Sequence, residues 1–194
     1  EGALKGVPAL VVTSGPSLTA LMPAIRSLGD TGAIIAADSA LATLAGWGVV
    51  PDLAVSVDPQ PFIREHLRAL PSGAPVLTML TAHPDAFAGR TVLSLNSHPV
   101  SQLVDELFPG LTGSASSRTG NVAGDALMAA VRMGASPIGL AGFDFSFPRL
   151  EIYARGTAYQ QRYAKYFHTR ENTVETQNMR YIMRSSRALR RDGM

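Results

Sequence analysis

Short apolar runs alternate along this chain with amphipathic segments, and that alternation predicts βα units around a mainly parallel sheet, a Rossmann-like α/β fold. Ala9–Thr13 reads ALVVT, Ala33–Ala37 reads AIIAA and Leu53–Val57 reads LAVSV. Each has the length and apolar continuity of a buried strand. Val76–Leu80, Val92–Leu95 and Ser136–Ala141 are predicted as further strands. Between them, helices are predicted over Leu18–Leu28 with Ser17 as its cap, Ser39–Trp47, Pro61–Leu70, Val100–Phe108 and Val122–Met133. After Asp144 the texture changes. Phe145–His168 is rich in Tyr, Arg and Gln without clear periodicity and reads as a lid, and Glu171–Arg191 reads as a polar helix. The expected organisation is a nucleotide-binding domain with its lid over residues 1–170 and a polar helix and tail over 171–194.

Composition narrows the class. The 194 residues are 46% hydrophobic and 16% charged, which suits one globular domain with a sizeable core. There is no cysteine, so disulfides and Cys-based zinc sites are excluded. A net charge of +2 is too small to announce a nucleic-acid binder. Arg180, Arg184, Arg187, Arg190 and Arg191 crowd the last stretch, either as a solvated helix face or as a contact for an anionic partner or membrane surface. The longest apolar stretch, Ala33–Val50, is broken by Asp38, Ser39, Gly46 and Gly48, so no transmembrane segment is expected. The chain opens at Glu1 and runs straight into a strand-like segment. The expectation is a cytoplasmic domain without a secretory leader, cut from something longer.

In open parallel sheets ligands bind where the loops gather at the strands' carboxyl ends. The predicted ends carry Ser14-Gly15-Pro16-Ser17, Asp38-Ser39, Asp58-Pro59-Gln60, Asn96-Ser97 and Gly142-Phe143-Asp144. In the first loop Gly15 permits close approach of a ligand to the backbone, and Pro16 stiffens the turn. The helix starting near Ser17 aims N–H groups and its positive dipole end at the same place, so a phosphate is the natural occupant. An ordinary strand-to-helix turn is the alternative. Neither a Walker loop nor a three-glycine dinucleotide motif is present. Thr119-Gly120-Asn121 precedes another apolar helix and is either a second anion site or a plain cap. Asp144 is placed to hold a base or ribose, or to cap a turn. His66 and His83 read as surface residues, His98 stays open, and His168 stands in the lid among tyrosines, where a mobile acid–base group is expected.

The stretches PALVVTSGPSL, IIAADSALATLAGWGVVPDLAVSVDPQ and TGNVAGDALMAAVRMGASPIGLAGFDFSF resemble the core domain of the motility accessory factor proteins, implicated in glycosylating flagellin with nonulosonic, sialic-like acids. The resemblance spans about residues 7 to 170. Two related groups pull the reading in different directions. Sialyltransferases of glycosyltransferase family forty-two have a similar Gly-Pro-Ser-Leu loop against a CMP-sugar. They also have a segment similar to Thr119–Val122, a cytidine-contacting strand end similar to Gly142-Phe143-Asp144-Phe145, and a lid similar to Tyr153-Ala154 and His168-Thr169. Ser14 and Asn121 depart from that pattern. Pterin and thiamine diphosphokinases share Asp38, Leu44 and Pro51-Asp52. They continue into a paired-aspartate motif for Mg²⁺, where Ser56-Val57-Asp58-Pro59 supplies only one carboxylate here.

The resemblance to the sialyltransferases implies a metal-independent glycosyltransferase moving a CMP-activated nonulosonic acid to a protein hydroxyl, flagellin being one such acceptor, with no cofactor beyond the donor. Ser14–Ser17 and Thr119–Asn121 would hold phosphate, and Asp38, Ser39, Asp58 and Asn96 would complete the donor site. Asp144 with Gly142, Phe143 and Phe145 would hold the nucleoside. Tyr153 would screen leaving-group charge and His168 would take the acceptor's proton. The alternatives are ATP- and Mg-dependent diphosphate transfer to a pterin-like alcohol, and a non-catalytic nucleotide-binding scaffold.

Overall fold

A computed structural model describes residues 2–28, 31–110, 113–117, 119–164 and 173–192, with side chains in the last helix as far as Arg184. Six strands, β1 (Ala9–Val12), β2 (Ala33–Ala37), β3 (Leu53–Val55), β4 (Pro75–Met79), β5 (Arg90–Ser94) and β6 (Ile138–Ala141), form one sheet in the order β5-β4-β3-β2-β1-β6. Every pairing is parallel. The expected Rossmann-like architecture is therefore present, and the sheet is wholly parallel.

The central strands are buried on both faces, which is why they read as continuous apolar runs. Side chains alternate between two cores with the period of two that a strand imposes. Val11, Ile35, Leu53 and Val55 face α5 (Val122–Arg132), where Ala126, Ala129 and Ala130 pack against the sheet. Small residues there let the helix lie close. Val12, Ile34, Ala36 and Ala54 face the opposite layer. That layer contains α1 (Leu18–Leu28), α2 (Leu41–Gly46) and α3 (Ile63–Leu67), and is filled by Leu18, Ile25, Leu41 and Leu44. Burying each such side chain is worth ~1.5–3 kcal/mol.

Helix boundaries moved where turn chemistry competed with periodicity. The predicted 39–47 helix begins as a 3₁₀ turn over Asp38–Ala40 and ends before Gly48, whose φ of 71° is the left-handed value of a helix stop. The 61–70 helix contracts to Ile63–Leu67 between Pro61 and Pro71. Pro23 sits inside α1 at an exposed position. α4 (Pro99–Leu107) begins at His98, which caps it. The predicted lid contains a 3₁₀ turn at Pro148–Leu150 and α6 (Ala158–Tyr163), started by the Thr157 cap. In α7 (Val174–Asp192), Tyr181 meets Phe147 at 6.5 Å between ring centres.

The chain adds strands β1 to β5 in one direction and then returns to lay β6 on the other side of β1. The crevice between the ends of β1 and β6 is thus the topological switch point, where such sheets bind ligands.

Candidate functional site

A cavity of about 770 Å³ opens at that crevice, within the range of small-molecule sites. Its first wall is the junction of β1 and β6. Thr13 donates its N–H to the Ala141 carbonyl at 2.9 Å and its hydroxyl to the Gly142 carbonyl, and Gly15 donates its N–H to Gly142 at 3.0 Å. Gly15 is required by this packing: a Cβ there would fall onto the Asp144 carboxylate and the Gly142 carbonyl. The glycine expected to admit a ligand also admits a neighbouring strand end.

Asp144 explains what lies at the start of α1. Its Oδ2 accepts from the Ser17 N–H at 3.1 Å and from the Ser17 hydroxyl at 2.9 Å. The carboxylate occupies the place predicted for a phosphate, satisfying the helix's free N–H and its dipole from within the protein. Pro16 and Ser17 accordingly do not line the cavity, whereas Ser14 and Gly15 do. Asp144→Ala should lower stability by ~0.5–2 kcal/mol through loss of this cap, measured as a shift of the urea midpoint with the slope unchanged. A midpoint equal to wild type would mean that the contact contributes nothing.

The second wall joins the ends of β2 and β3. Ser14 donates its hydroxyl to Ser39 Oγ at 2.9 Å, and Ser56 donates its hydroxyl to Asp38 Oδ2 at 2.8 Å. His66, expected on the surface, lines the cavity with Nδ1 3.5 Å from Asp38 Oδ1. A histidine in a five-residue helix carries no sequence signal of burial, because only tertiary packing turns α3 toward Asp38. Asp58 also lines the cavity, and its Oδ1 accepts from the Gln60 N–H at 2.8 Å.

The third wall is the first turn of α5, with Gly120, Asn121, Val122 and Ala123. Asn121 is a cap, its Oδ1 accepting from the Gly124 N–H at 2.8 Å, while its residue also faces the cavity. Thr119 does not line it and instead shares a 2.7 Å hydrogen bond with Ser117. Asp125, which sequence reasoning missed inside an apolar helix, is buried, lines the cavity and accepts the Ser117 N–H. The segment after β6 closes the site with Phe143, Phe145, Ile152 and Tyr153, and Ala154 fastens it by donating its N–H to the Ser14 carbonyl at 2.8 Å. Burial, reinforced by Tyr181 and Tyr159, raises the Tyr153 pKa, so its phenol is a neutral donor at ordinary pH.

Asn96 is not part of the cavity. Its Oδ1 accepts from the Ser101 hydroxyl at 2.7 Å and from the His98 N–H at 3.1 Å, bracing the start of α4. His98 caps that helix through Nδ1, and His83, mostly buried rather than on the surface, caps the Pro84–Phe87 turn in the same way. His168, with Thr169, lies outside the described residues.

Among the described lining residues, Asp38, Asp58, Asp125 and Asp144 stand with His66 and no Lys or Arg. Each carboxylate is engaged by a protein donor, from Ser56, Gln60, Ser117 and Ser17 respectively. No group of three acidic or histidine side chains among the described residues converges as a metal site.

Fold and cavity together define an open parallel α/β domain with a cavity at its switch point. The chain belongs to the MptE-like family: the family model described as 6-hydroxymethylpterin diphosphokinase MptE-like matches residues 1–149. Its structure is similar to that of the MAf glycosyltransferase from Magnetospirillum magneticum AMB-1, at 21% identity and a TM-score of 0.62 over 73% of this chain. The match spans 23% of that longer chain. The expected MptE-like membership is met by the family model, and the expected likeness to motility accessory factors is met in fold. No curated protein matches the chain. Among the described residues no helix is long and apolar enough to cross a membrane.

Proposed function

We propose that the cavity binds a nucleotide-activated sugar and that the domain transfers the sugar to a hydroxyl. The observation that carries this reading is the switch-point cavity itself, large enough for a nucleotide-sugar and lined by hydroxyls, carboxylates, Tyr153 and two phenylalanines. The donor is a CMP-linked nonulosonic acid and the acceptor a protein hydroxyl such as flagellin's. This assignment rests on the resemblance to the sialyltransferases and is supported by the likeness to a MAf glycosyltransferase. Carboxylates and hydroxyls suit the ribose and sugar hydroxyls, while the first turn of α5 and the Tyr153 phenol face the phosphate whose charge grows as CMP leaves.

A second reading, diphosphate transfer to a pterin-like alcohol, is favoured by the family description. It requires Mg²⁺, which such sites hold with one or two carboxylates together with the substrate's phosphates. A thermal-shift panel separates the two. CMP without metal should raise the melting temperature, since a ligand at about 100 times its Kd adds ~2.7 kcal/mol of stability. A shift with Mg-ATP and none with millimolar CMP would replace the first reading with the second.

A further inference from the structure

We propose that His66, backed by Asp38, is the base that takes the proton of the alcohol nucleophile. The proposal rests on the reading above as an alcohol-directed transferase. It holds for either form, because sugar transfer and diphosphate transfer both require a hydroxyl to lose its proton.

His66 and Asp38 stand as an acid–base pair held slightly apart. The His66 side chain is 13% exposed and lies edge-on to Phe62, ring centres 4.7 Å apart. Its Nδ1 is sealed from solvent and has no hydrogen-bond partner. Asp38 Oδ1 lies 3.5 Å from it, close enough to attract the ring and too far for a hydrogen bond. Asp38 is itself 4% exposed and held from behind by the Ser56 hydroxyl. A buried nitrogen left unpaired is unfavourable, and native proteins keep few of them without a use. Catalytic hydrogen bonds are often long before the ligand arrives and tighten in the complex.

Closure of this gap fixes the chemistry. A carboxylate at Nδ1 selects the tautomer with its proton there, leaving the Nε2 lone pair of this cavity-lining residue to accept a proton. The alcohol's proton passes to Nε2 as its oxygen bonds to the anomeric carbon. The anomeric bond to the phosphate oxygen breaks, and its electron pair leaves with CMP. In the diphosphate form the same oxygen bonds to the β-phosphorus and AMP departs. The resulting imidazolium lies against the Asp38 carboxylate and returns its proton to solvent. His83 and His98 cannot substitute, because their Nδ1 atoms are used as caps outside the cavity.

The test uses the whole chain. The ¹⁵N shifts of the His66 ring should show the proton on Nδ1, and Asp38→Asn should weaken that preference. Single-turnover release of CMP from CMP-N-acetylneuraminic acid, with water as acceptor, should slow by about a hundredfold to ten-thousandfold in both His66→Ala and His66→Gln. CMP affinity should be unchanged in His66→Gln, which shows that the variant is folded. An unchanged rate in His66→Gln, or a wild-type ring protonated on Nε2 alone, overturns the proposal. So does a full loss of rate in His168→Ala with none in His66→Gln. If wild type ignores CMP but turns over Mg-ATP with 6-hydroxymethylpterin, the sugar reading has failed, and the same variants are scored on that reaction. Turnover of neither donor overturns both.

Discussion

Replacing Gly142 by alanine is expected to remove roughly 2–5 kcal/mol of stability, although it adds a single methyl group. Gly142 has φ of 76°, a left-handed conformation that costs an L side chain ~1–2 kcal/mol. A Cβ there would also fall onto the Thr13 carbonyl, part of the seam that closes β1 against β6. Overpacking of that kind adds ~1–3 kcal/mol, because backbone rather than a flexible side chain must give way. For a domain of this size each kcal/mol lowers the melting temperature by about 2–4 °C. Gly48→Ala is the control: its φ of 71° carries the same strain, with nothing within 4 Å of the added carbon. Calorimetry of the two variants should show a much larger loss for Gly142→Ala. Equal losses would mean that the seam relaxes freely and that only the backbone conformation matters.

Leu18→Ala should cost ~2–5 kcal/mol. Leu18 is the first residue of α1 and is fully buried in the layer beneath the Ser14–Ser17 loop. Its N–H is donated to the Gly15 carbonyl at 3.0 Å, so the same residue anchors the helix to the core and closes the turn beside the cavity. Removing the isobutyl group leaves a void that surrounding strands, held in register on both sides, fill poorly. Leu107→Ala is the comparison, since Leu107 is 62% exposed and its loss should be nearly neutral. Urea denaturation of both decides the matter. A Leu18→Ala protein as stable as wild type would show that α1 is held by its Asp144 contact alone.

The central strands were legible because both of their faces are buried, which writes a short unbroken apolar run into the sequence. ALVVT and AIIAA became β1 and β2 with boundaries within a residue. The loops at their ends were legible as a group for the same reason: once strands are known, parallel topology sends every carboxyl end to one edge. Ser14, Asp38, Ser39, Asp58, Asn121, Asp144 and Tyr153 do meet there. Asn96 does not line that cavity. Its loop follows β5, the strand at the far edge of the sheet, and its amide is consumed in starting α4. His66 and Asp125 went unseen because a single polar residue inside an amphipathic segment reads as solvated. Only the docking of α3 and α5 places those side chains inward.

By itself, the sequence determined the fold class, the strand pattern and the absence of disulfide chemistry, since these follow from local periodicity and composition. The order of the strands, with β6 returning beside β1, lies beyond local pattern, and that order creates the cavity. Tertiary structure alone decided that the start of α1 is met by the Asp144 carboxylate. It also decided that Gly15 and Gly142 exist to let two strand ends touch, and that His66 stands beside Asp38. Each of these is a contact between residues far apart in the chain. Spacing along a chain encodes which face a side chain takes, but not which distant group it will meet there.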